Sequence, residues 1–162
     1  MFDPNPDPFA DPALADLVAK KLLAGADHAW ELQQPPDFDP IESAERFMNL
    51  AQSVQTIVGE DCPLELWPAI REATFHGELV LPTAVLVEPT SAVIRASNFA
   101  NLIAILDDDR TVKPQVLAQL RRRFERAGYR FIPALPLRRA YNGHHRGTQQ
   151  FRRWADRLFG YL

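Results

Sequence analysis

Cysteine is all but missing from this sequence: Cys62 is the only one in 162 residues. An internal disulfide is therefore impossible, and the usage fits a reducing compartment. Long apolar runs are missing as well. The most apolar stretch, "ELVLPTAVLVEP", is broken by two prolines and is far too short to span a bilayer. Glycine is scarce, with seven in all, and none stands in a phosphate-cradling or dinucleotide-binding pattern, so nucleotide binding of those kinds is not expected. No serine sits in a G-x-S-x-G elbow, which leaves a hydrolase of that type without support. The opening "MFDPNPDPFADP" has neither a basic segment nor an apolar one behind it, and is not expected to be a secretory signal. These features together predict a soluble, cytoplasmic protein with no membrane partner.

What is present suffices for one self-supporting core. Apolar residues make up 46% of the chain and aromatics 10%, ordinary values for a globular domain of this length. Residues 1–10 read as an acidic, proline-rich tail, because Asp-Pro dipeptides hold the chain extended and offer little to bury. Residues 11–162 read as a single α+β domain. Charge is unevenly spread. Residues 1–63 carry 12 acidic and 3 basic side chains, a net −9; residues 64–109 carry 7 and 2, a net −5; residues 110–162 carry 2 and 13, a net +11. A basic end can be a nucleic-acid patch, or acidic and basic parts can fold against each other. The overall charge of −3 favours the second reading.

Periodicity supplies the elements. "DPALADLVAKKLLAG" predicts a helix capped by Asp11, with Pro12 in the first turn, Leu14, Leu17, Val18 and Leu22 on one face, and Gly25 at its end. "DPIESAERFMNLAQSVQTIVG" predicts a second, with Asp39 and Glu42 at capping-box spacing, a stripe of Ala44, Phe47, Met48, Ala51, Val54 and Val58, and Gly59 as its stop. "CPLELWPAIREA" reads as a short helical piece. "TFHGELVLP", "AVLVE", "AVIRAS", "NLIAILDD" and "YRFIP" read as strands of an antiparallel sheet of four or five. In the first of these, Phe75, Leu79 and Leu81 alternate with His76, Glu78 and Val80, the pattern of a half-buried strand. "KPQVLAQLRRRFERAG" returns to helix. "TQQFRRWADRLFGYL" predicts an amphipathic C-terminal helix docked by Phe151, Trp154, Ala155, Leu158, Phe159 and Leu162, with Arg152, Arg153, Asp156 and Arg157 off that face.

Several groups could carry chemistry. The stretch "RAYNGHHRGT" gathers Tyr141, His144, His145 and Arg146 around glycines. Adjacent histidines rarely converge on one metal, and no further ligand stands at suitable spacing, so no metal or cofactor is expected. His145 titrates near neutrality and could move a proton, but a binding or connecting loop is the favoured reading. Cys62 and His76 could form a thiol–imidazole pair; a lone cysteine beside "PLELW" is more often packing. The run Asp107, Asp108, Asp109 lacks the ligand pattern of a calcium loop. With Glu88 it reads as an acidic rim able to steer a basic protein. Arginine outnumbers lysine 15 to 3, and Arg121, Arg122 and Arg126 with Arg152 and Arg153 could line a phosphate-binding stripe.

The stretches "ATFHGELVLP", "VIRASNFANLIAI", "AGYRFIPALPLRRAYNG" and "FRRWADRLFGYL", in this order, resemble small bacterial immunity-type proteins of polymorphic toxin systems. The resemblance spans about residues 70–162 and contains no catalytic signature. It implies a non-enzymatic protein that binds and blocks a toxin domain made by the same cell. The leading expectation is thus a protein-binding module contacting a basic toxin surface through Glu88, Asp107, Asp108 and Asp109, with Tyr141, His144, His145 and Arg146 as a second contact. A nucleic-acid or phosphate-ligand binder using the C-terminal arginines comes next. An enzyme of unrecognised type, using His76 or His145, comes third.

Overall fold

The computed structural model describes residues 10–145 and 151–162. The expected tail, apart from Ala10, lies outside the described residues, as does Arg146.

Two capped helices open the fold. Asp11 accepts the Ala13 amide at 2.9 Å, and Pro12 takes the first position of α1 (Pro12–Ala26), where a missing N–H costs nothing. The face that packs is not the expected one. Ala19, Leu23 and Ala26 are buried, while Leu14 and Leu17 stay exposed. The rotation is set by polar tethers at both ends of the helix: Asp16 pairs with Arg139, and Asp27, just past the end, with Arg157. In α2 (Pro40–Val58) the Asp39 carboxylate accepts the amides of Ile41 and Glu42 at 2.9 and 3.0 Å. The Glu42 side chain turns to Arg46 instead of closing the box. Gly59 ends the helix at φ 80°, a conformation glycine adopts without steric cost. Phe47, Leu50, Ala51 and Val54 form its buried stripe, and Met48 is exposed.

A five-stranded sheet follows in the order of the chain: β1 (Leu64–Leu66), β2 (Phe75–Val80), β3 (Val93–Ser97), β4 (Leu102–Leu106) and β5 (Arg130–Phe131). The first four pair antiparallel as a meander. The helix α3 (Pro114–Arg126) then crosses over and returns β5 parallel to β4, so the sheet is mixed. Two local expectations fail. "CPLELWPAIREA" supplies the edge strand β1, because Pro63 and Pro68 bracket too few residues for a helix. "AVLVE" is no strand of the sheet; Thr83–Val85 form a 3-10 turn, followed by a single bridge from Leu86 to Val112.

Helices cover both faces of the sheet, which makes this α+β chain one three-layered domain. On β4, Ile103 and Ile105 enter the core built with α2 and α3, where Phe47, Leu120 and Phe124 sit. Leu102 and Ala104 enter the opposite core, with Leu23 of α1 and Trp154, Leu158 and Phe159 of α5 (Trp154–Phe159). A strand buried on both sides reads as one continuous apolar run. The short helix α4 (Ala134–Leu137) joins this second layer through Leu137. The expected C-terminal helix is six residues long, its Thr148–Gln150 portion lying outside the described residues. Beyond it the chain end runs beside residues 72–74, with the Thr74 amide on the Gly160 carbonyl and the Leu162 amide on the Glu72 carbonyl.

One contact fixes how closely α2 approaches the sheet. A Cβ placed on Gly77 would clash with Cδ1 of the Phe47 ring. Gly77→Ala is therefore expected to cost about 1–3 kcal/mol through overpacking, read from urea unfolding. In the Phe47→Leu background the same substitution should cost much less; equal costs in both backgrounds would show that the ring is not what the glycine accommodates.

Candidate functional site

The end of β4 carries a cluster of charged side chains. Asp107 leaves the strand at φ 72°, in the left-handed region. Asp108 then accepts the Arg110 amide at 3.0 Å and holds the Arg110 guanidinium through both oxygens, at 2.9 and 2.8 Å. Hydrogen bonding to that guanidinium draws the Asp108 carboxyl below its ordinary range. Asp109 accepts the Ala134 amide at 3.0 Å and so caps the first turn of α4. Two members of the acidic run are thus turned inward as turn-formers, and Asp107 is the exposed one. Glu88 is brought to the same end of the sheet. The Leu86–Val112 bridge and the Val87 amide on the Thr111 carbonyl, at 2.7 Å, place it beside the turn. Of the four acidic residues expected to form a rim, Glu88 and Asp107 stand exposed at this end of the sheet, where Val87 and Leu135 are exposed as well.

Next to this turn opens a cleft of about 590 Å³. Its apolar floor includes Leu106, Leu137 and Phe159, and its walls carry Arg95, Arg138, Arg153, Asp107 and Asp156. β3 supplies Arg95, which donates to Glu78 at 2.5 Å and to the Phe159 carbonyl at 2.8 Å. Arg138 follows α4 and donates to the Asp107 carbonyl, with Asp108 at 3.6 Å. Arg153 precedes α5. Asp156, on the first turn of that helix, accepts the amides of Arg152 and Arg153 at 3.2 and 2.9 Å.

The "RAYNGHHRGT" loop has a different character. Asp27 accepts the Tyr141 hydroxyl at 2.7 Å and the His144 amide at 2.5 Å through one oxygen, and Arg157 at 2.9 Å through the other. The Tyr141 oxygen accepts the His145 amide at 2.9 Å. Burial, and then the Asp27 hydrogen bond, raise the Tyr141 pKa; burial lowers that of His145, whose ring meets Phe151. Arg157, expected on the exposed side of the last helix, is fully buried. Its remaining donors bind the carbonyls of Leu32, Glu31 and His28, and its plane lies over Phe99. Tyr141, His144 and Arg157 together fasten the α1–α2 connection. Reading along the chain missed this clasp, since Asp27 and Arg157 lie 130 residues apart.

His76 is sealed in the interior, not half-buried. A register shift between Phe75 and Gly77 breaks the simple alternation of β2. The amide of Asn98 donates to the carbonyls of Gln33 and Ala73, so its oxygen faces the imidazole and accepts from Nδ1 at 3.3 Å. Nε2 then accepts from the Tyr129 hydroxyl at 3.1 Å. Burial, reinforced by nearby Arg46 and opposed by the Asn98 bond, pushes the His76 pKa down to about 4. Cys62 does not join it: the thiol is buried, lies 3.7 Å from the Glu60 carbonyl, and has its pKa raised by that burial. Neither His76 nor His145 lines the cleft.

The arginines do not form one stripe. α3 packs on one face of the sheet and α5 on the other, which separates Arg121, Arg122 and Arg126 from Arg152 and Arg153. Arg121 also lies over the Phe131 ring. Among the described residues, no three His, Cys, Asp or Glu side chains converge as a metal site, and no helix is long and apolar enough to cross a membrane. Comparison with protein-family models, with curated proteins and with solved structures gives no match to this chain.

Proposed function

We propose that the chain is a non-enzymatic protein-binding module of the immunity type, which neutralises a cognate bacterial toxin domain by covering a basic surface on it. The observation that carries this reading is the rim at the end of β4, where Glu88 and Asp107 stand exposed beside Val87 and Leu135. Exposed carboxylates steer a basic partner into contact, and apolar side chains among them supply burial once it docks. The burial of His76 away from the cleft supports the same reading.

Purification of the tagged protein from its source cell at moderate salt, with mass spectrometry, should yield one stoichiometric protein partner. Against that partner, the double reversal Glu88→Lys/Asp107→Lys is expected to slow association by roughly tenfold or more at low salt, with the difference shrinking as salt rises. Asp108 and Asp109 are left unchanged because the turn is built on them. An unchanged on-rate would take Glu88 and Asp107 out of the interface. Co-purifying nucleic acid that leaves at high salt would replace the reading with the arginine surface of α3.

A further inference from the structure

The cleft beside the acidic turn has the make-up of a small-ligand site, an apolar floor with a few polar groups at the walls, and the protein-binding rim does not use its interior. Its charged groups are not equivalent. Glu78 already neutralises Arg95 at 2.5 Å, and the Phe159 carbonyl takes a further donor. Asp156 is engaged by two backbone amides. The guanidiniums that retain most of their donors are Arg138, which shares one nitrogen with the Asp107 carbonyl, and Arg153. Both are exposed, and each presents a planar fork of the shape a carboxylate fills. Against these two cations stand the carboxylates of Asp107 and Asp156, so the walls are close to neutral. Near-neutral walls suit a monoanion better than a phosphate dianion. The floor of Leu106, Leu137 and Phe159 calls for an apolar body behind the charged head.

We infer that this cleft binds a monocarboxylate with a short apolar body, its carboxylate held between Arg138 and Arg153 and its body on Leu106, Leu137 and Phe159. The same chemistry is offered by a free aliphatic acid and by the carboxyl end of a polypeptide that finishes in an apolar residue.

Titration of the isotope-labelled full chain, followed by amide NMR, tests this with hexanoate, hexanol, acetyl-Gly-Leu-Leu as the free acid, and the same peptide as its C-terminal amide. Hexanoate or the peptide acid should saturate shifts at Leu137 and Ala155, whose positions line the cleft. The tighter of the two identifies the source. The Arg138→Ala/Arg153→Ala variant should weaken binding at least tenfold, as expected for loss of charge-assisted hydrogen bonds. Arg153→Glu, a change at an exposed position, should do the same if the double variant folds poorly. No saturable shift from either acid up to about 10 mM, weaker than any useful recognition, would overturn the assignment. So would equal binding of hexanol or of the peptide amide, since the carboxylate would then not be what is recognised.

Discussion

Arg157→Met is expected to lower the free energy of unfolding by about 3–5 kcal/mol, the usual cost of removing one partner of a buried ion pair. For a domain of this size that corresponds to a fall in melting temperature of about 6–20 °C. Methionine keeps much of the arginine's volume and its contact with Phe99, so the loss isolates the polar part. What remains is a wholly covered Asp27 carboxylate, still bonded to Tyr141 and His144, and three carbonyls at residues 28, 31 and 32 deprived of their donor. Each orphaned group costs its own desolvation. The α1–α2 connection should open, so protease sensitivity between residues 28 and 38 is expected to rise along with the loss of stability. Removing the stranded charge as well, in Asp27→Asn/Arg157→Met, should recover part of the loss, because the neutral amide is far less costly to bury. Urea unfolding of the four proteins measures this directly. A cost below about 1 kcal/mol for Arg157→Met, within the range of an exposed pair, would mean that the clasp contributes no more than a surface contact.

That clasp also marks the boundary of what was legible in the sequence. Helix starts could be read because capping is local: Asp11 and Asp39 lie next to the amides they satisfy, and Gly59 stops α2 by its own backbone freedom. The strands β2, β3 and β4 could be read because branched residues recur in short runs between turn-formers. The side each helix turns inward was less legible. For α1 it is decided by Asp16 and Asp27, which reach Arg139 and Arg157 far along the chain. The parallel return of β5 could not be read either, since nothing within "YRFIP" records which neighbour it meets. At the site, the sequence marked Glu88 and Asp107–Asp109 as chemically distinctive, and the fold does bring them together. It could not show that Asp108 and Asp109 spend their oxygens on Arg110 and the α4 amide. Nor could it separate Arg157 from Arg152 and Arg153, because an arginine on the polar side of an amphipathic pattern looks the same whether it meets water or a buried aspartate.

His76 offers the second large effect, and acid reveals it. Folded, the imidazole titrates at about 4; unfolded, it returns to about 6.5. A group whose folded pKa is depressed in this way takes up its proton in the unfolded state first. Above pH 6.5 neither state carries the proton, so the full stability contributed by the neutral ring is present. Between 6.5 and 4 only the unfolded chain binds it, and stability falls by about 1.4 kcal/mol per pH unit, about 3 kcal/mol across the window. Below 4 the folded ring protonates too, and this contribution levels off. The hydrogen-bond chain gives the structural reason. Tyr129 donates to Nε2 and Nδ1 donates to Asn98, so the neutral ring is satisfied at both nitrogens without any rearrangement. A proton on Nε2 would turn the Tyr129 hydroxyl into an acceptor and place a charge in an interior where Phe38 and Phe47 supply the other walls. Carboxylates also titrate at the acid end, so the measurement is a difference. Unfolding free energies of the wild type and of His76→Gln are taken from pH 7.5 to 4, and the gap between the two curves is expected to close by about 3 kcal/mol on the acid side. Tyr129→Phe, which deprives Nε2 of its donor, should cost about 1–3 kcal/mol at pH 7.5 and make the acid fall smaller, because the folded pKa rises toward the unfolded one. Wild-type and His76→Gln curves that run parallel down to pH 4 would mean that the ring gains its proton as easily folded as unfolded, and the sealed hydrogen-bond chain would have to be given up.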